Sequence, residues 1–142
     1  MRPTCLTSLT FVFALAILSS PARAEKRAVK PTREWSGSVA DHSLAADAPD
    51  YVANGEDLAS LWNQWGIADE LPTIDFSQEL VVLATTRGSR LRLLTTLDDA
   101  TGDLGVGGIA TRDLRPGFRY VIATISREGV KTVNGKELPR AE

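Results

Sequence analysis

The chain has 142 residues, of which 43% are hydrophobic and 24% are charged, and its 16 basic and 18 acidic side chains give a formal charge of -2. This is the composition of one ordinary globular domain, and it excludes a disordered, collagenous or polytopic membrane protein. A single Cys, a single His and a single Met limit the chemistry that the chain supports.

The first 24 residues have the features of an export signal. A basic start at residues 1–3 precedes an apolar run at residues 11–18, and Ala22-Arg23-Ala24 is typical of a cleavage site. The run is too short to span a bilayer, which takes about 20 apolar residues. We predict cleavage after Ala24 and a secreted or periplasmic protein without an integral membrane span. An uncleaved N-terminal anchor is the alternative.

Cleavage would also remove Cys5, the only cysteine. The mature chain would then have no disulfide, thiol nucleophile or thiolate ligand, so apolar burial must stabilise it. The charged residues 25–34 predict a flexible leader, and residues 35–140 predict a single domain.

The predicted elements begin with a short strand at residues 35–39. A helix over residues 55–65 follows, with Asn54 as its N-cap and an apolar stripe formed by Leu58, Leu61, Trp62 and Trp65. Residues 80–84 and 120–125 are apolar on both faces, which is typical of central strands. Tryptophans on such a stripe are more often core than ligand platform.

Residues 90–93 alternate Arg with Leu, and the doubled Leu93-Leu94 predicts a bulge or a change of face. Residues 104–109 form a weaker strand, diluted by glycine. Turn signals at residues 98–102, 115–117, 128–129 and 134–135 leave no room for crossover helices. We therefore predict an α+β fold, with a mostly antiparallel sheet of about five or six strands and one main helix packed on one face.

No catalytic motif stands out. His42 lies between Asp41 and Ser43, but neighbours on an extended segment point to opposite sides and no nucleophile elbow is present. A solvated loop histidine is the preferred interpretation. The acids Glu34, Asp75 and Glu79 leave open a carboxylate-dependent hydrolase acting on carbohydrate or peptide, although spacing does not single out a pair.

Metal and phosphate motifs are equally weak. The acidic cluster Asp98, Asp99 and Asp103 lacks the spacing of a calcium loop, so a polar hairpin turn is the better interpretation. The glycines of residues 105–108 have no Lys-Ser/Thr and no helix after them, as a phosphate loop would require. We predict no metal, no cofactor and no catalytic residues.

The arginines are the candidate contact residues. Three follow one strand and others surround the Pro116-Gly117 turn, so adjacent placement in the sheet would form a guanidinium patch for carboxylate, phosphate or sulfate groups of a partner. A solvated outer face is the alternative. After cleavage, 14 basic and 18 acidic side chains would give the mature chain a formal charge of -4, which disfavours nucleic acid as the partner. The predicted contact residues are Arg87, Arg90, Arg92, Arg115 and Arg119.

The motifs Leu61-Trp62-x-x-Trp65 and Pro72-x-x-Asp75-Phe76, followed by the strand at residues 79–83, resemble the C-terminal domain of the PrcB-like protease-complex subunit family. Residues 35–37 and 126–135 make the chain similar to a group of small exported proteins, mostly of unassigned function. The resemblance implies a β-rich, exported, non-catalytic accessory or interaction module. Residues 87–90 depart from the Gly-Gly-Tyr-type segment that family members often have there.

Together these features predict an exported, non-catalytic binding module with a protein partner in the envelope or outside the cell. The hydrolase named above and a purely structural envelope domain are the alternatives.

Overall fold

Two long neighbouring strands, β4 (Glu79–Thr86) and β7 (Phe118–Ser126), form the centre of the molecule. The computed structural model describes residues 25–140, and the predicted export signal at residues 1–24 lies outside the described residues. β4 and β7 pair antiparallel with Leu83 opposite Ile122. β7 is buried along most of its length and β4 from Leu80 to Leu83, as predicted from residues that are apolar on both faces.

The fold is α+β, with one α-helix and two mostly antiparallel sheets. The four-stranded sheet has the order β2-β7-β4-β3, and the five-stranded sheet has the order β1-β5-β6-β8-β9. Among the strands that the structure describes, only β6 and β8 pair in parallel. The remaining strands are β1 (Lys26–Ala28), β2 (Arg33–Val39), β3 (Tyr51–Val52), β5 (Leu91–Asp98), β6 (Asp103–Ala110), β8 (Thr132–Val133) and β9 (Lys136–Glu137).

The four-stranded sheet is the middle of three layers. Successive side chains of a strand point to opposite faces. Val81 and Leu83 of β4 pack with the helix, whereas Leu80 and Val82 pack with the five-stranded sheet. This arrangement explains why the central strands have no polar face, and it gives the domain two separate apolar cores.

Helix α1 (Gly55–Gln64) confirms the clearest sequence prediction. The Asn54 side chain accepts a hydrogen bond from the Asp57 N–H at 2.8 Å, and Trp65 is the C-cap. Gly66 follows with a φ of 60°, a left-handed conformation that favours glycine. Trp62 and Trp65 are each 5% exposed and belong to the core, as predicted.

Other predictions need correction. Instead of one sheet of five or six strands, the nine strands within residues 25–140 divide between two sheets. Residues 25–34, predicted as a flexible leader, contain β1 and the start of β2, because backbone hydrogen bonding to β5 orders a segment with few apolar side chains. No bulge occurs at Leu93-Leu94. The register of β5 with β6 is continuous there, and Leu94 is simply left 41% exposed.

Within residues 25–140, no helix is long and apolar enough to cross a membrane.

Candidate functional site

A cleft of about 680 Å³ opens between the two sheets. One wall comes from the four-stranded sheet, through residues 36–37 of β2 and residues 119–121 of β7. The other wall comes from residues 89–92 and residues 109–111 of the five-stranded sheet. We call this site the arginine cleft, because Arg90, Arg92 and Arg119 all line it.

Strand register explains why Arg119 reaches the cleft. Arg119 pairs with Ser38 of β2 and with Thr86 of β4, so these residues share the face of the middle sheet that is turned toward the five-stranded sheet. Further along β7, the same face carries Ala123 and Ile125 of the inter-sheet core. Arg119 therefore lies at the end of β7 where the two sheets no longer enclose a core.

A smaller cavity of about 290 Å³ adjoins the arginine cleft and shares Ser89 and Arg119 with it. Arg87 and Arg115 line this second cavity. The structure thus brings all five predicted contact arginines to one region. Arg112, which the sequence groups with Arg115 and Arg119, lines neither cavity.

Two loops that carry arginines are held together by hydrogen bonds. Asp113 accepts from the backbone N–H of Ser89 at 3.0 Å and from its hydroxyl at 3.1 Å. The Thr111 hydroxyl accepts from the N–H of Arg90 at 3.1 Å, and the N–H of Arg115 donates to the carbonyl of Arg87 at 2.8 Å. Sequence analysis missed these contacts, since they join residues more than 20 positions apart.

The charged residues that line the two cavities are all basic. No Asp or Glu lines either cavity. Arg115 pairs with Asp113 at 3.0 Å, whereas Arg87, Arg90, Arg92 and Arg119 form no ion pair with any residue between 25 and 140. The arginine cleft is therefore lined both by arginines that lack an ion-pair partner among residues 25–140 and by apolar residues that include Leu91, Val121 and the 59%-exposed Ile109.

Comparison with known protein families, curated proteins and solved structures was made on the same chain. It found no match. The likeness to the PrcB-like family therefore stays a prediction from the motifs of the sequence.

The other candidate residues lie outside the arginine cleft. His42 is exposed at the start of a short 3-10 helix, and the Ser43 hydroxyl donates to Asp41 at 2.6 Å. A carboxylate oxygen of Glu79 lies 3.7 Å from a guanidinium nitrogen of Arg33. The hydroxyl and the N–H of Ser77 both donate hydrogen bonds to the Asp75 carboxylate, and these bonds lower the pKa of Asp75. Glu34 is exposed on β2. A general acid needs the opposite shift, toward a raised pKa.

The acidic cluster of the β5–β6 hairpin is also structural. Asp98 accepts from the Ala100 N–H at 3.0 Å, Asp99 pairs with Arg27 at 3.0 Å, and Asp103 accepts from the Thr132 hydroxyl at 2.6 Å. Within residues 25–140, no group of three or more His, Cys, Asp or Glu side chains is placed to hold a metal ion. Gly102 has a φ of 74°, so the turn interpretation agrees with the structure.

Asp113→Asn is expected to make the stability of the folded protein depend less steeply on pH in acid solution. The Thr111 hydroxyl, the Ser89 N–H and hydroxyl, and Arg115 hold the pKa of Asp113 well below its usual range. Its contribution is therefore present above the unfolded-state pKa of about 3.9 and is lost as the pH falls through the lower folded-state pKa. Thermal melts between roughly pH 5 and pH 2 measure this slope.

The control for this experiment is Glu128→Gln, which removes an exposed carboxylate away from both arginine-bearing loops. We expect the control to keep the wild-type slope. Equal slopes for Asp113→Asn and the wild-type protein would contradict the role assigned to Asp113.

Proposed function

We propose that this protein is an exported, non-catalytic binding module that captures an acidic protein partner through the arginine cleft. The observation that carries the proposal is that Arg90, Arg92 and Arg119 all line one cleft, whose lining within residues 25–140 includes no Asp or Glu. Guanidinium groups bind carboxylates with directional, often bidentate hydrogen bonds.

The apolar part of the lining favours a polypeptide over a simple inorganic anion. Leu91 and Val121 lie in the cleft, and Ile109 is exposed beside them. Interfaces commonly combine an apolar centre with charged groups at the rim. A partner with neighbouring apolar and acidic side chains would therefore satisfy both parts of the cleft. Export rests on the predicted signal at residues 1–24.

The test is a double charge reversal, Arg90→Glu with Arg92→Glu. Each lost hydrogen bond to a charged group costs about 1.5–3 kcal/mol of binding, so we expect loss of the partner. Because both side chains are exposed, we expect the melting temperature to stay nearly unchanged. Capture from the native envelope fraction, quantified by mass spectrometry, gives the readout.

A matched control is Lys131→Glu with Arg140→Glu. It changes the net charge by the same amount at two exposed positions outside the arginine cleft. The control should keep the partner that the wild-type protein captures. Equal capture by the Arg90/Arg92 variant and this control would refute the proposed function.

A further inference from the structure

One edge of β5 is unpaired beside the arginine cleft. The pairing of β1 with β5 ends at Ala28 and Thr96, and one further bond joins the Val29 N–H to the Thr95 carbonyl at 3.0 Å. The chain then leaves this sheet and continues as β2 in the other sheet. Among residues 25–140, none pairs with this side of β5 between positions 91 and 94.

The alternation of hydrogen bonds identifies which backbone groups face this edge. In an antiparallel pair, successive residues of one strand bond alternately to its two neighbours. The Thr111 N–H donates to the carbonyl of Arg90 at 3.2 Å, which places the even-numbered residues of β5 in the bonds to β6. The N–H and C=O groups of Leu91 and Leu93 therefore point to the unpaired edge. Such groups are a template for an additional strand.

The side chains along this edge also alternate. Arg90 and Arg92 are two residues apart and share one face, whereas Leu91 and Leu93 share the other. Leu93 packs against the inter-sheet core, and Leu91 lines the arginine cleft. A strand added at this edge would present its residues in turn to arginines and to leucines.

We propose that the partner binds as an extended acidic segment that adds a strand to the edge of β5. Its acidic side chains lie opposite Arg90 and Arg92, and the apolar residues between them lie opposite Leu91 and Leu93. The inference rests on the proposed function and specifies the form of the partner. Charge complementarity selects this occupant over a second copy of the chain, because antiparallel pairing of two β5 edges would set arginines against each other.

The probe is the end-blocked peptide TVEVEVT, which alternates acidic and β-branched residues with the period of a strand. Amide hydrogen exchange of the full mature chain is followed by NMR with and without the peptide. We expect exchange at Leu91 and Leu93 to slow by about tenfold or more at saturation. Exchange at Arg92 and Leu94 should not change, because their N–H groups already bond to β6.

Two sets of N-methylated peptides test the backbone bonds. Methylation at one alternate set of residues removes the donors that face β5, and methylation at the other set removes donors that face solvent. Methylation of the residues whose N–H groups face β5 should abolish binding, and methylation of the residues whose N–H groups face solvent should preserve it. The lysine peptide TVKVKVT should not bind, because its charges repel the arginines.

Other outcomes would overturn strand addition. These are no binding of TVEVEVT, binding that both methylated sets preserve, or binding that leaves exchange at Leu91 and Leu93 unchanged. Binding of a short polyglutamate with no protection of those amides would identify anion capture alone. Each of these results leaves the proposed function standing if the Arg90/Arg92 reversal still abolishes capture of the partner. Failure of that reversal removes the proposed function itself.

Discussion

Replacing Trp65 by alanine is expected to lower the free energy of unfolding by about 3–5 kcal/mol, the usual cost of truncating a large aromatic side chain in a core. Trp65 is 5% exposed, and the centroid of its ring lies 5.1 Å from the ring centroid of Phe118 and 5.3 Å from that of Tyr120. The substitution would therefore leave a cavity between α1 and β7. Urea denaturation at constant temperature measures the loss.

Leu114→Ala is the control for this prediction. Leu114 is also a large apolar residue but is 75% exposed, so we expect a change below about 0.5 kcal/mol. A loss below about 1 kcal/mol for Trp65→Ala would mean that the helix is not packed on the middle sheet as described.

Replacing Gly117 by alanine is expected to cost about 2–4 kcal/mol for two separate reasons. Gly117 has a φ of 71°, where a side chain adds about 1–2 kcal/mol of strain. A Cβ atom there would also lie 2.1 Å from the carbonyl oxygen of Val39, so the backbone of β2 or β7 would have to move. Thermal or chemical unfolding provides the measurement.

Gly135→Ala separates the two costs. Gly135 has a φ of 78°, but a Cβ atom there would have no neighbour within 4 Å. This variant should therefore lose only the conformational part, about 1–2 kcal/mol. Equal losses at Gly117 and Gly135 would exclude the close approach to Val39 as a source of destabilisation.

Gly117 is also close in sequence to a residue of the candidate site. The turn that contains it comes two residues before Arg119, which lines the arginine cleft. Tyr120 follows, packed on Trp65 and against the backbone of Gly37, where a Cβ atom would lie 2.5 Å from the tyrosine oxygen. Burial, together with the nearby Asp69 carboxylate, raises the pKa of Tyr120. The strand that carries Arg119 is therefore held in place by core packing on the opposite face of the middle sheet.

The local elements could be predicted because their signals lie within a few residues of one another. Asn54, the apolar stripe and Gly66 define α1 without reference to the rest of the chain. Asn134-Gly135 similarly predicts a tight turn, and both residues have positive φ angles. The grouping of arginines along the sequence predicted a candidate contact patch, but it did not show whether the group near β5 and the group at the Pro116-Gly117 turn would be adjacent.

By itself, the sequence determined the helix, the central strands, the turns and the α+β class, because capping, side-chain period and glycine conformation act over short distances. Only the tertiary structure decided that the strands form two sheets, that β1 orders the expected leader, and that Arg119 lines the same cleft as Arg90 and Arg92. These features depend on backbone pairing between distant residues. Such pairing uses the same N–H and C=O groups at every position, so side-chain patterns do not specify which strands become neighbours.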